Sequence, residues 1–295
     1  MSLLVDTIVF GIISGSLVAI GAVGFTMQYG ITNVLNIAYG PIITAAIFIG
    51  YVVSQSVTNL AVLLLVGGVF GAAISYVLGI ILLGPFVRRG TKLVGIAIVT
   101  VNVGLMIEFS LEAIQGPGLL TFNEIPGSPV HIANAIVNTS QIALVAVSFA
   151  LMIAVHLLLR YTRVGLAMRA TSADPTLSRG CGIPTSRIRA LTWLISGALC
   201  GVTGIILGVS TGAFESTTGN GLFILIVAAA IVGGIGRPYG AMIGGMVLGL
   251  ISEGTAAVWS PALKDVVACA VIVVILLWRP QGIAADYSAT RVIAQ

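Results

Sequence analysis

Continuous apolar runs, each close to the thickness of a hydrocarbon core, dominate this sequence and leave few folds open to it. They fall at about 7–28, 36–55, 60–84, 93–114, 140–159, 190–209, 222–236, 240–258 and 265–278. A helix needs roughly 20 apolar residues to cross a core of ~30 Å, and it closes its own backbone hydrogen bonds on the way. The runs are continuous rather than alternating, which argues against a β-barrel. Only 7% of the residues are charged and the mean hydropathy is +1.15, whereas a soluble domain is roughly 25% charged. The expected fold is all-α: a polytopic integral membrane protein with about eight or nine transmembrane helices, some broken by Gly or Pro, forming one domain over residues 1–295.

Charge then orients the chain. The net charge is +4, which in a soluble protein would raise nucleic acid as a partner; here it sorts by side instead. If segment 160–190 is cytoplasmic, alternation places the "RRGTK" loop (Arg88–Lys92), Arg237, Arg279 and Arg291 on that side too. Every Lys and Arg except Lys264 is then inside. The other side collects Asp6, Glu124, Glu215 and Asp265, with Glu108, Glu112 and Glu253 towards the outer helix ends. Basic residues favour the cytoplasmic face, so the N-terminus is expected outside and the C-terminus inside, in a cytoplasmic (inner) membrane. The start of the chain lacks a basic leader region, and the first apolar run is expected to remain.

Small residues recur at four-residue spacing: Gly11 and Gly15, Gly67 and Gly71, Gly197 and Gly201, Gly204 and Gly208, then Gly236, Gly240 and Gly244. Such pairs let helix backbones approach closely in lipid. Trp193, Trp259 and Trp278 fall at expected helix ends, as interfacial anchors do. Cys181, Cys200 and Cys269 have no metal-ligand spacing and read as small packing residues. Two apolar regions are interrupted: Tyr29–Pro41, and a stretch in which Gly233, Gly234, Gly236, Pro238 and Gly240 make either a tight turn or a break inside one helix. Irregular backbone at membrane depth must line a cavity or be buried in protein.

Segment 160–190 is organised beyond what a connector needs. Asp174 before Pro175 is a helix start, Gly180 and Gly182 stop that helix within about two turns, and Pro184 blocks its continuation. Thr185 or Ser186 is expected to cap the next segment. Arg169, Arg179, Arg187 and Arg189 crowd this short capped helix, which has the shape of a docking element for another protein.

These residues carry a family resemblance. The stretch "RVGLAMRATSADPTLSRGCGIPTSRIRALTWLISGALCGVTGIILG" (Arg163–Gly208) resembles the cytoplasmic loop and following helix of branched-chain amino acid ABC transporter permeases of the H type, matching at Gly165, Arg169, Ala170, Asp174, Gly182, Ile183, Arg187, Gly197, Ala198, Gly201 and Gly204. "QYGITNVLNIAYG" is similar to the family's N-terminal segment at Gly30, Asn36, Ala38 and Gly40, and "IVGGIGRPYGAMIGGMVLGLISE" to its glycine-rich block. The resemblance implies one transmembrane permease domain whose 160–190 loop carries a coupling helix. It also implies that Arg169, Asp174, Arg179, Gly182, Ile183 and Arg187 meet cytoplasmic ATP-binding subunits. This chain would bind no cofactor, ATP being used by those partners. Further implied partners are a second, M-type permease subunit or a homodimer copy, and an extracytoplasmic solute-binding protein. Where the family reads Asn-x-Ala-His-Gly and then Glu, this chain has Tyr39, Gly40 and Pro41. Its substrate class therefore stays open among branched-chain and related small amino acids, short amides and urea.

A zwitterion in low dielectric needs donors for its carboxylate and acceptors for its ammonium. Asn33, Asn36 and Tyr39 are placed to line such a path, as are Thr100 and Asn102 in the fourth run. For Asn102 a helix-to-helix hydrogen bond is the plainer expectation. Glu108, Glu112 and Glu253 are expected to be solvated, and His156 to be a packing residue. Segment 115–139, with Pro117, Pro126 and Pro129, reads as a docking face or a plain connector.

Three function classes remain. An ABC permease fits the loop, and the sequence contains no GxxxxGK[ST] loop, so ATP hydrolysis would belong to another chain. An ion-coupled secondary transporter of small polar solutes is the alternative, and it calls for a carboxylate at mid-membrane. An intramembrane hydrolase finds no Gly-x-Ser-x-Gly elbow here.

Overall fold

Local sequence starts the helices where polar residues can cap them. Asn59 accepts from the Ala61 amide at 2.9 Å to open one helix, and Asn138 with Gln141 forms a reciprocal capping box at another. The computed structural model describes residues 2–116, 118–122, 129–132, 135–260 and 263–278. Pro117, Glu124, Pro126, Arg279 and Arg291 lie outside them.

In chain order the elements are α1 (Ser2–Thr32), α2 (Tyr39–Ser54), α3 (Leu60–Tyr76), a π-helical turn (Val77–Leu82), α4 (Leu83–Arg88) and α5 (Leu93–Gln115). After β1 (Leu120–Thr121), β2 (Pro129–Ile132) and β3 (Ala135–Asn138) come α6 (Thr139–Tyr161), α7 (Arg163–Ala173), α8 (Pro175–Gly180) and α9 (Thr185–Thr211). Then follow β4 (Ala213–Phe214), α10 (Thr218–Gly233), α11 (Pro238–Val258) and α12 (Lys264–Trp278). Among the described residues, six helices are long and apolar enough to cross a membrane, and three shorter apolar ones accompany them. The fold is all-α and polytopic, and every expected apolar run forms a helix. Gly234 and Gly236 adopt φ of 99° and 85°, a turn that glycine enters without strain; the uncertain seventh and eighth runs are therefore two helices.

Glycine decides which helices touch. Gly67 and Gly71 of α3 lie against Gly197 and Gly201 of α9, backbone on backbone. Gly11 and Gly15 of α1 face Leu250, Met246 and Gly245 of α11, with Gly249 in the same seam. These are the four-residue pairs of the sequence, now matched to partners. The result is a centre made of α1 and α9, 67% and 72% buried over their apolar windows, and a periphery in which α5 is only 17% buried.

Four expectations change. Trp193 is 3% exposed and packs its indole on Gly79 of the π-helical turn, because the missing Cβ leaves a slot there; it is core rather than an interfacial anchor. Trp259 and Trp278 are 73% and 84% exposed at helix ends. The helix α9 opens at Thr185 after Pro184 with no side-chain cap, so neither Thr185 nor Ser186 plays the expected part. The loop also holds an additional helix, α7, which the mixed polarity of Arg163–Ala173 concealed. Segment 115–139 is more than a connector: β2 pairs with β3 as an antiparallel hairpin, and β1 pairs with β4 beyond α9. Phe122, Phe214 and Tyr51 pack together beside that pairing, ring centroids 5.7–6.2 Å apart.

Candidate substrate path and coupling arm

Helix α1 ends at Thr32, Asn33 turns the backbone with φ 55°, and residues 34–38 run back without regular structure until α2 begins. Tyr39 shows how far back. Its hydroxyl donates to the Gly21 carbonyl at 3.2 Å, and a weaker contact reaches the Ser196 carbonyl at 3.5 Å. Both lie in the middle of long spans. The break is thus embedded in the bundle, and α2, at 16 residues, is short because it starts part-way through.

Helix α5 holds the break by one stripe at four-residue spacing. The Thr100 hydroxyl donates to the Leu35 or Ala97 carbonyl, at 3.2 and 2.9 Å, and accepts from the Ile37 amide at 3.3 Å. One turn on, Gly104 admits Pro41 and Ala38. A turn further, Glu108 accepts from the Asn220 side-chain amide at 3.1 Å. Asn220 belongs to the first turn of α10, another 16-residue helix, whose Gly219 amide donates to the Thr44 hydroxyl at 3.0 Å. Two short helices therefore meet near their N-terminal ends, where the dipole is positive, with the Glu108 carboxylate alongside.

Asn36 is 0% exposed, and neither its Nδ2 nor its Oδ1 has a hydrogen-bond partner. Gln28 is in a related position: Oε1 accepts from the Ser196 hydroxyl at 2.9 Å, whereas Nε2 is buried and unpartnered. Buried polar groups are normally satisfied, and an orphan costs about 1–3 kcal/mol. Such a group has a chemical use when a polar guest arrives, since an amide offers both a donor and an acceptor.

Of the residues read as a path, Asn36, Tyr39 and Thr100 come together. Tyr39 contributes as packing, its hydroxyl committed to backbone and its ring in edge contact with Phe25 at 5.7 Å. Asn33 is exposed at the turn. Asn102 is exposed on α5 and donates to its own helix at Ile98, 2.8 Å, so the expected helix-to-helix bond is not made. Sequence reasoning missed Asn220, Gln28 and Ser196. The polar, glycine-bearing run Thr217–Gly221 directly before an apolar segment was a signal available for Asn220; nothing comparable marks Gln28. Glu108 and Glu253 are not simply solvated either, because Glu253 accepts from Ser14 at 2.7 Å and pairs with Lys264 at 2.6 Å. His156 packs between the Tyr161 and Tyr239 rings. The Gly233–Gly240 turn lies beside the end of α1, with Gly236 on Gly30 and Gly233 against Gly240.

At the loop, the Asp174 carboxylate accepts from the Thr176 and Leu177 amides at 2.7 and 3.0 Å, and Pro175 opens α8. Arg179 donates to the Pro175 carbonyl at 3.3 Å, and Gly182 takes φ 81° to turn the chain towards α9. Helix α7 is anchored below by Gly165, which lies directly on Leu158 and Leu159, and by fully buried Met168. Above that anchor, Arg169, Arg179, Arg187 and Gly182 are exposed, Ile183 is half-buried, and Leu177 is 67% exposed. A cationic and apolar knob results.

Residues 7–276 match the model of the branched-chain amino acid transport system permease component. The chain belongs to this family. It is 30% identical to the high-affinity branched-chain amino acid transport permease LivH of Salmonella typhimurium, over 92% of both chains. With BraD of Pseudomonas aeruginosa, a permease named for the same transport, identity is 31% over 94% of both. A probable LivH of Methanocaldococcus jannaschii is 30% identical over 81% of this chain and 77% of its own. No solved structure matches. The protein is a membrane permease component of an ABC-type importer.

Proposed function

We propose that this permease carries branched-chain or closely related small amino acids inward, with ATP hydrolysed by separate cytoplasmic subunits. The observation that carries the reading is Asn36: a buried amide with both atoms unpartnered, in a non-helical break beside two helix N-termini and a carboxylate. An amino acid's carboxylate suits the positive end of the two helix dipoles, its ammonium suits Glu108, and Asn36 can serve either. The likeness to LivH and BraD supports the amino-acid substrate.

On this reading the α7–α8 knob seats in the ATP-binding subunits through Arg169, Arg179 and Arg187, and Asp174, Gly182 and Ile183 hold its shape. Arg189, at the exit of the knob, has another use, taken up below. The chain forms half of the pore. The second permease subunit packs on the exposed α5 face, where Asn102 would otherwise stand in lipid, and the solute-binding protein docks at the β2–β3 hairpin. The N-terminus lies outside and the C-terminus in the cytoplasm. The Gly233–Gly240 turn supports the end of α1 at the break.

The decisive experiment is labelled leucine uptake into proteoliposomes holding the complete assembly. Uptake that requires internal-facing ATP hydrolysis is expected. Uptake driven by an ion gradient with the ATP-binding subunits omitted would transfer the protein to the secondary-transporter class.

A further inference from the structure

Between the π-helical turn and the start of α9 lies a pocket of about 110 Å³, bordered by Thr32 and Val34 at the near end of the break. Its walls are apolar, from Ile80, Leu83, Val87 and Trp193. Its polar groups are those of Ser186, Thr32 and Arg189. Arg189 is half-buried, its Nε is fully buried, and that atom has no hydrogen-bond partner. Among the described residues no carboxylate pairs with it, and the like charge of Arg179 acts on it. The first turn of α9 is closed on its own backbone, the Thr185, Arg187 and Ile188 amides donating to the Ile183 and Pro184 carbonyls. A guanidinium with an unused donor and no carboxylate partner, lining an apolar pocket, is a site in deficit of one anion.

We infer that this pocket binds a phosphate-ester anion, supplied in the membrane by the headgroup of an anionic phospholipid. Phosphate fits because guanidinium donates to it in a planar, paired geometry. A lipid fits because the walls beneath the guanidinium are apolar and the neighbouring Ile81 is 65% exposed, which opens the pocket towards acyl chains. The depth fits as well: Arg189 stands one turn inside the knob, where the cytoplasmic headgroups would lie. A protein carboxylate from the ATP-binding subunit would neutralise Arg189 but leave the apolar walls without a purpose. The occupant would touch Thr32 and Val34 at the end of α1 and the start of α9 together, and so brace the break against the knob.

Trp193 reports on the pocket from inside it. The protein has three tryptophans, so the variant W259F/W278F leaves Trp193 as the one emitter. In nanodiscs, lipid brominated on the acyl chain quenches tryptophan on contact. Brominated phosphatidylglycerol, diluted in plain phosphatidylcholine, is expected to quench Trp193 at about fivefold lower mole fraction than brominated phosphatidylcholine, the enrichment one basic residue confers. Arg189→Gln should erase that difference and Arg189→Lys retain part of it. A shift of Trp193 emission by glycerol 3-phosphate in pure phosphatidylcholine, without lipid selectivity, would assign the same anion site to a soluble ester. Equal quenching by both lipids with no response to glycerol 3-phosphate overturns the inference. So does a selectivity that survives Arg189→Gln. An Arg189→Gln defect confined to ATP-binding subunit association also overturns it, and gives the charge to that partner.

Discussion

Asn36 carries the largest unmet demand of any single side chain in the break, and its replacement separates stability from transport. Asn36→Leu removes an amide whose orphaned burial costs about 1–3 kcal/mol and keeps its branched shape with the same number of heavy atoms. The thermal midpoint of the purified variant should therefore hold or rise, while leucine uptake falls at least tenfold. Unchanged uptake would remove Asn36 from the path. Asp174 poses the opposite case. Its carboxylate satisfies two amides of α8, and Asp174→Ala should cost about 1 kcal/mol locally. The helix is outside the core, so the loss is expected in ATP-driven uptake and in faster amide exchange over 175–180, with little change in global melting. Both side chains were visible as candidates in the sequence, Asp174 because a cap needs only its neighbours. Tyr39 was read as lining and is packing, since the direction of a side chain depends on α1 and α9, which are remote in sequence.

At the scale of elements, glycine spacing specifies contacts that hydropathy leaves open. A Cβ on Gly201 would fall on the Gly67 backbone, whereas one on Gly221 meets nothing within 4 Å. Backbone cannot move aside as a flexible side chain can. Gly201→Val should therefore destabilise at or above the top of the roughly 1–3 kcal/mol range for overpacking, seen as loss of monodisperse protein on size exclusion. Gly221→Ala should melt like the parent. Equal behaviour of the two variants would mean that α3 and α9 do not cross at these glycines. The existence of each apolar helix was legible, because apolar length and polar caps are local, whereas the mixed polarity of α7 hid it. The shortness of α2 and α10 was not: whether a helix begins at the membrane surface or part-way through depends on what covers its first N–H groups, and here Thr44 of α2 accepts from the Gly219 amide of α10 while Thr100 of α5 accepts from the Ile37 amide just before α2. Trp193 was misjudged for the same reason, its slot being provided by Gly79 more than a hundred residues earlier.

For the whole molecule, the arrangement links two places that lie apart on the chain. The knob of α7 and α8 leads through Gly182 into α9, and α9 is the same helix whose Ser196 and Cys200 contact Gln28 and Tyr39. On the proposed function, a pull on the knob would reach the break through α9. Arg187→Glu reverses one exposed charge without touching the core, so the assembly should insert and melt normally while its ATPase no longer responds to the loaded solute-binding protein. Gly182→Pro should give the same phenotype by a different route, because proline cannot adopt φ 81°. Normal coupling in both variants would dissociate the knob from the motor. The sequence by itself determined the class of solvent, the long apolar helices and the capped arm, since each follows from residues within a few turns of one another. Only the tertiary structure decided that Asn36 is orphaned, that Glu108 meets Asn220, and that Arg189 faces a pocket. Those are relations between segments separated by a hundred residues or more, and burial, which gives each group its energy, arises only when the segments pack.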